Sequence, residues 1–148
     1  LIPRPHPRTK NNYPSEMAPW QTALAKLKRG TLVVDFFDQT DGSSLIAASD
    51  IVVADYSTML CEAAMLRKPA ISLWYPEVRK SWDSTMKGCV PIFPLISMGC
   101  VLKAESREDL AQESDARTLA DLERAQCEHF PNMEKSAVRA ANFIHSLL

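Results

Sequence analysis

The sequence predicts an α/β fold, with a Rossmann-like parallel sheet and helices on both of its faces. Short continuous apolar runs, which are typical of strands buried on both sides, occur at 31–37, 51–54 and 70–74. Segments with the apolar spacing of helices alternate with these runs. Ligands of such sheets bind beyond the carboxyl ends of the strands. The loops that follow the apolar runs are therefore where we expect the chemistry.

The first fifty residues predict a loop, a helix, a strand and a second helix. Alternate prolines at positions 3–7 exclude a regular element there. A helix is predicted over 19–30, because a proline suits its first turn and a glycine ends it. The apolar run 31–37 predicts a buried strand, and the Asp-Gly-Ser-Ser sequence at 41–44 opens a short helix.

The middle of the chain predicts two more strands around a helix. The strand at 51–54 leads into a helix that we expect to end near Lys68, since Pro69 cannot continue it. A loop is predicted over 75–94, and its charges and tryptophan suit either a cover over a base or sugar or a plain surface loop. The last fifty residues predict a short strand at 99–103, followed by three helices. The first of these helices begins at a capping-box-like Ser-Arg-Glu-Asp sequence at 106–109. The other two cover 115–126 and 132–147.

Composition limits the class of protein. A chain of 148 residues suits one domain, here 1–148, and its net charge of −1 gives no electrostatic footprint for nucleic acid. No apolar run approaches the roughly 20 residues of a membrane span. The four cysteines have no metal-ligand spacing, and we expect them to be reduced in a cytoplasmic protein. Neither GxGxxG nor GxxxxGK[ST] occurs, and no cofactor or metal is expected.

The first residues of the chain bear on its domain organisation. It opens on Leu1 without an initiator methionine, and its first two residues resemble the end of a core strand. We expect an upstream domain, so that this chain is half of a larger protein.

The turn after the strand 51–54 is the first candidate site. Asp55, Ser57 and Thr58 stand where a strand runs into a helix, and the N–H groups and hydroxyls of a helix start bind anions well. These residues are candidates for holding a diphosphate. The alternative is that Ser57 only caps the helix and Asp55 complements its dipole.

Glu62 is the second candidate. It lies four residues after Thr58 on the same helix face, and its neighbours at three and four residues include no basic side chain. A carboxylate in that position needs hydroxyl donors or a distant cation, and a ribose supplies two hydroxyls. A solvated surface glutamate is the alternative.

The third candidate is the segment Arg-Pro-His-Pro-Arg at 4–8. Prolines on both sides of His6 restrict its backbone, and an imidazole can protonate or hydrogen-bond a leaving phosphate. Arg8 and Lys10 add positive charge that suits phosphate. A purely structural role for His6 stays open.

These residues together resemble a known family. The run LIAASDIVVADYSTMLCEAAMLRKPAISL at 45–73 resembles the C-terminal domain of GT-B glycosyltransferases, above all CDP-glycerol glycerophosphotransferases and bacterial polysialyltransferases. It is also similar to nonhydrolysing UDP-N-acetylglucosamine 2-epimerases and lipid-A-disaccharide synthase. Glu62 and Pro69 match the spacing of the family's ribose-binding Glu and following Pro, and the His-Pro pair at 6–7 matches a motif beside the donor phosphates. Lys68 departs from the family's usual glycine.

The resemblance implies a donor-binding half of a two-domain enzyme. His6 would act on the leaving phosphate, Arg8, Asp55, Ser57 and Thr58 would bind the phosphates, and Glu62 the ribose. The implied partners are a nucleotide-activated sugar or glycerol donor and an N-terminal acceptor domain, with peripheral attachment of the full-length protein to the inner face of the cytoplasmic membrane.

Two alternatives stay open: a UDP-sugar 2-epimerase-like enzyme, against which the Asp-Tyr-Ser turn counts, and a non-catalytic nucleotide-binding or interaction module.

Overall fold

A computed structural model describes most of the central and C-terminal parts of the chain. The described residues are 41–112 and 116–131, together with Arg4, Ala18, Thr22, Ala23, Ala25 and Lys26. The chain divides into two compact units, Leu1–Asp41 and Gly42–Leu148. In the first unit, Ala18, Thr22, Ala23 and Ala25 are helical, near the helix predicted over 19–30. The strand predicted at 31–37 and the helix at 132–147 lie outside the described residues.

The second unit alternates helices with short strands. They are α1 Gly42–Ala48, β1 Val52–Ala54, α2 Thr58–Met65, β2 Ala70–Leu73, α3 Pro76–Met86, α4 Pro94–Ser97, β3 Leu102–Ala104, α5 Arg107–Gln112 and α6 Ala116–His129.

The three described strands form one parallel sheet in the order β1-β2-β3. Val53 pairs with Ile71, and Ile71 in turn pairs with Leu102. Helix α2 connects the first two strands, while α3 and α4 connect the second and third. The predicted Rossmann-like α/β class is confirmed in this unit, since parallel neighbours joined by helices are its defining feature.

One part of the core of this unit lies between α2 and the sheet. Leu60, Ala63 and Ala64 are completely buried and recur at the spacing of one helix face. Ala70 at the start of β2 is equally buried. The alanines allow the helix backbone to approach the strands closely, and burial of Leu60 alone is worth about 1.5–3 kcal/mol.

The prediction of a loop over 75–94 is wrong, because more than half of this segment forms helix α3. Pro76 occupies the first turn, where proline is tolerated because its missing N–H would have no partner in the helix. Val78, Trp82 and Met86 recur every four residues and pack in the core, a signal hidden among the charges between them. Trp82 is buried and its Nε1 donates to the Val90 carbonyl at 2.7 Å. Its indole is therefore part of the core and not a cover over a base or sugar.

Helix α2 ends at Met65, three residues before the predicted end. The Arg67 N–H donates to the Ala64 carbonyl and the Lys68 N–H to the Ala63 carbonyl, which is a Schellman motif. Arg67 takes the left-handed position of this motif with φ 57°. Lys68 keeps an ordinary φ, so its departure from the family's glycine costs the backbone nothing.

The later elements match their predictions closely. The predicted strand at 99–103 is β3, which is shorter and ends one residue later. The capping box at the start of α5 is confirmed: the Ser106 N–H donates to Asp109 Oδ2 at 2.9 Å, and the Asp109 N–H donates to Ser106 Oγ at 3.1 Å. Helix α6 starts one residue after the predicted helix and ends three residues after it.

Candidate functional site

The candidate site is the turn between β1 and α2, at the carboxyl end of the first described strand. The buried strand residue Ser72 donates its hydroxyl to the Asp55 carbonyl at 2.7 Å. Ser72 is itself fully buried, so this bond fixes the start of the turn to the neighbouring strand. The turn therefore begins from a rigid point of the sheet.

Ser57 caps helix α2, which confirms the structural role weighed for it. Its backbone is extended, and its Oγ accepts a hydrogen bond from the Met59 N–H at 3.2 Å. This role does not exclude a second one, since a capping hydroxyl still has its own proton to donate. Ser57 is half-buried and Thr58, the first helical residue, is exposed. The helix start is thus accessible and presents hydroxyl groups.

Glu62 has a hydroxyl partner that the sequence did not reveal. Ser43, in the first turn of α1, donates its hydroxyl to Glu62 Oε2 at 2.7 Å. Glu62 is half-buried. A carboxylate offers about four acceptor positions, so one serine leaves capacity for the hydroxyls of a ribose. Ser43 orients the carboxylate one helical turn beyond Thr58.

Asp55 carries a perturbed carboxyl group. The residue as a whole is exposed, yet the surrounding protein removes enough water from the carboxyl to raise its pKa above the ordinary value of 3.8. Desolvation disfavours the charged form, which is the form that would repel a phosphate. The shift reflects the partial burial of this carboxyl group in the turn.

Tyr56 connects the turn to helix α3, a role that sequence reasoning missed. Its hydroxyl lies 2.7 Å from the Ser81 Oγ, and its ring meets Trp82 edge-on with centroids 5.2 Å apart. Trp82 in turn packs edge-on against Trp74 and Phe93. The turn is held from two sides, by the strand and by this aromatic cluster.

Two site residues predicted from the sequence, His6 and Arg8, lie outside the described residues. Asp55, Ser57, Thr58 and Glu62 do lie together, on one turn and the helix that follows it.

The described residues lack two features that bear on function. They include no group of three or more His, Cys, Asp or Glu side chains arranged to hold a metal ion. No helix in the described part of the chain has the length and apolarity needed to cross a membrane. All four cysteines are free thiols, and Cys100 is the buried one.

Fold and site together define a Rossmann-like domain with an accessible, hydroxyl-bearing helix start at the edge of a parallel sheet. The model of the CDP-glycerol:poly(glycerophosphate) glycerophosphotransferase family matches residues 1–116, and the chain belongs to that family. It is a glycerophosphotransferase-like domain, and membership implies a nucleotide-linked donor. No curated protein and no solved structure matches the chain.

Proposed function

We propose that this chain is the donor-binding, C-terminal half of a GT-B enzyme that transfers a glycerophosphoryl group to a cell-envelope or polysaccharide acceptor. The observation that carries the proposal is the accessible turn at 55–58, followed one helical turn later by an oriented Glu62. The family match over 1–116 supports the same chemistry.

The proposed donor is a nucleoside diphosphate linked to glycerol. Its diphosphate lies against the start of α2, where Ser57 and Thr58 supply hydroxyls and the positive end of the helix dipole favours an anion. Its ribose hydroxyls donate to Glu62. The spacing is suitable, because four residues of helix advance about 6 Å along the axis.

The reaction exchanges the phosphoanhydride bond of the donor for a new phosphodiester bond to the acceptor. An acceptor hydroxyl oxygen bonds to the distal phosphorus of the donor, the bond from that phosphorus to the bridging oxygen breaks, and a nucleoside monophosphate leaves. His6 is proposed to stabilise or protonate the leaving phosphate, and Arg8 to neutralise its charge. Catalysis of this kind is mainly positioning and charge stabilisation.

An acceptor-binding N-terminal half completes the proposed enzyme and carries any attachment to the inner face of the cytoplasmic membrane. We expect the present chain to bind donor and to turn it over slowly. A cytoplasmic location fits a nucleotide-linked donor.

Titration with nucleotides tests the proposal. We expect CDP-glycerol and CDP to bind the chain, and Glu62→Gln to weaken this binding by about 1–3 kcal/mol, which is the range for hydrogen bonds to charged groups. The fold should hardly change, since an amide can still accept from Ser43. Glu123→Gln, the same change on an exposed residue of α6, is the matched control and should leave affinity unchanged.

Three results would contradict the proposal. An unchanged dissociation constant in Glu62→Gln removes the ribose role. Binding of UDP-sugars in preference to CDP-glycerol points to epimerase-like chemistry. Absence of any nucleotide affinity points to an interaction module.

A further inference from the structure

A cavity lies at the same edge of the sheet as the turn at 55–58. It has a volume of about 280 Å³ and is lined by Trp74, Pro76, Arg79, Lys80, Asp83 and Glu105. Trp74 directly follows β2 and Glu105 directly follows β3, so the cavity sits beyond the carboxyl ends of both strands. The Trp74 N–H donates to the Ala104 carbonyl at 2.8 Å, which holds these two ends together.

Two cations, Arg79 and Lys80, line the cavity next to each other on helix α3. Arg79 and Lys80 are exposed, and neither forms an ion pair with any residue that the structure describes. Glu105 is engaged with Lys103 at 3.0 Å. Two neighbouring cations can hold an anion between them although Asp83 and Glu105 share the lining, because a guanidinium binds phosphate through two parallel hydrogen bonds.

The wall of the cavity is rigid. Trp74 is only 3% exposed, and its ring packs edge-on against Trp82 at 5.9 Å. Arg79 and Lys80 stand on the same helix as Ser81, whose hydroxyl meets that of Tyr56. The cavity and the turn at 55–58 are therefore held in a fixed relation by helix α3.

We propose that this cavity binds a phosphate-bearing polyol, namely a glycerol phosphate unit. Arg79 and Lys80 hold the phosphate, while the carboxylates of Asp83 and Glu105 accept hydrogen bonds from the polyol hydroxyls. The choice of glycerol phosphate rests on the proposed function. Two sources share this chemistry: the glycerophosphoryl end of the donor and the terminal unit of a poly(glycerophosphate) acceptor.

Calorimetric titration of the chain with sn-glycerol 3-phosphate tests the proposal. We expect binding in the millimolar range or tighter, with inorganic phosphate weaker and glycerol weaker still. The double variant Arg79→Gln/Lys80→Gln should weaken binding at least about tenfold, since each lost charge-assisted bond is worth that much or more. Lys87→Gln changes an exposed lysine at the end of α3 that does not line the cavity, and it should leave affinity unchanged.

Repeating the titration with saturating CDP separates the two sources. Additive binding identifies an acceptor-type unit, and competition identifies the donor's own glycerophosphoryl end. Equal affinity of the parent chain and the double variant, at equal unfolding temperatures, would overturn the proposal, as would absence of binding to the parent chain. Glu62→Gln should weaken CDP and spare glycerol phosphate. If the parent chain binds glycerol phosphate but not CDP, the proposed function is contradicted and the proposal for the cavity is not.

Discussion

The two ends of helix α2 differ in how they are held. Its N-terminal end is capped by its own Ser57 and leaves Thr58 exposed. Its C-terminal end is enclosed by the side chain of Arg67, which directly follows the cap, and by that of Gln126, which comes from far along the sequence. A helix fixed firmly at one end can present the other end to solvent without losing its position.

The enclosed end is a network of charge-assisted and amide hydrogen bonds. The Arg67 guanidinium donates to the carbonyls of Ala64, Gln126 and Phe130, the last at 2.6 Å. Gln126 is 1% exposed, and its Nε2 donates to the carbonyls of Lys68 and Cys100, both at 3.1 Å. These bonds fasten α6 to the end of α2 and offset the strain of a left-handed arginine.

This difference predicts which substitutions change the stability of the protein and which change its affinity for ligand. Substitutions at the enclosed end should affect unfolding and spare ligand affinity. Substitutions at the open end should change ligand affinity and spare stability, except at Ser57, which also caps the helix.

The largest effect is expected at the enclosed end. Gln126→Leu leaves two buried carbonyls without their donor and should lower the free energy of unfolding by about 2–4 kcal/mol. Denaturant unfolding measures this, with Cys127→Ala on the exposed neighbour as control. Nucleotide affinity of the folded variant should be unchanged. A decrease in the free energy of unfolding of less than about 1 kcal/mol would show that water replaces the amide and reaches this end of the helix.

A smaller effect is expected at the cap. Ser57→Ala should cost about 1 kcal/mol of stability and should also weaken nucleotide binding, because one hydroxyl serves both roles in our proposal. Ser57→Asp sharpens the comparison. Aspartate caps a helix as well as serine does, so stability should be kept, while its negative charge should abolish binding of a diphosphate. Retained nucleotide affinity in Ser57→Asp would place the phosphates elsewhere.

The smallest effect is expected at Asp55. Desolvation raises the pKa of this carboxyl, so the folded protein keeps the proton to higher pH than the unfolded chain does. The contribution of Asp55 to stability is therefore present below its ordinary pKa and is lost as pH rises through the folded value. Asp55→Asn should raise the unfolding temperature slightly at about pH 7 and have no effect at about pH 3. A lower unfolding temperature at pH 7 would show that attraction to the helix start outweighs desolvation.

Sequence reasoning succeeded where neighbouring residues decide the outcome. The apolar runs at 51–54 and 70–74 predicted β1 and β2, because continuous apolar residues need burial on both faces. The Ser-Arg-Glu-Asp sequence at 106–109 predicted a capping box, since its two hydrogen bonds join residues three apart. Most of the sheet, its parallel direction and the turn at 55–58 could be placed in this way.

Sequence reasoning failed at helix α3 for a local reason as well. Proline and several charges suggested a loop, and the spacing of Val78, Trp82 and Met86 was overlooked among them. The burial of Trp82 changes the meaning of the segment, from a ligand cover to a core helix that lines a cavity.

Other features depended on tertiary structure alone. The bond from Ser43 to Glu62 joins residues 19 apart, and the contact of Tyr56 with Ser81 spans 25. Gln126 meets the Lys68 carbonyl across 58 residues, and no local pattern marks a glutamine as buried. The sequence by itself determined which segments become strands and helices, since periodicity and capping act within a few residues. Only packing decided which side chains meet across the sheet edge, because such contacts exist once the burial of apolar surface has brought distant segments together.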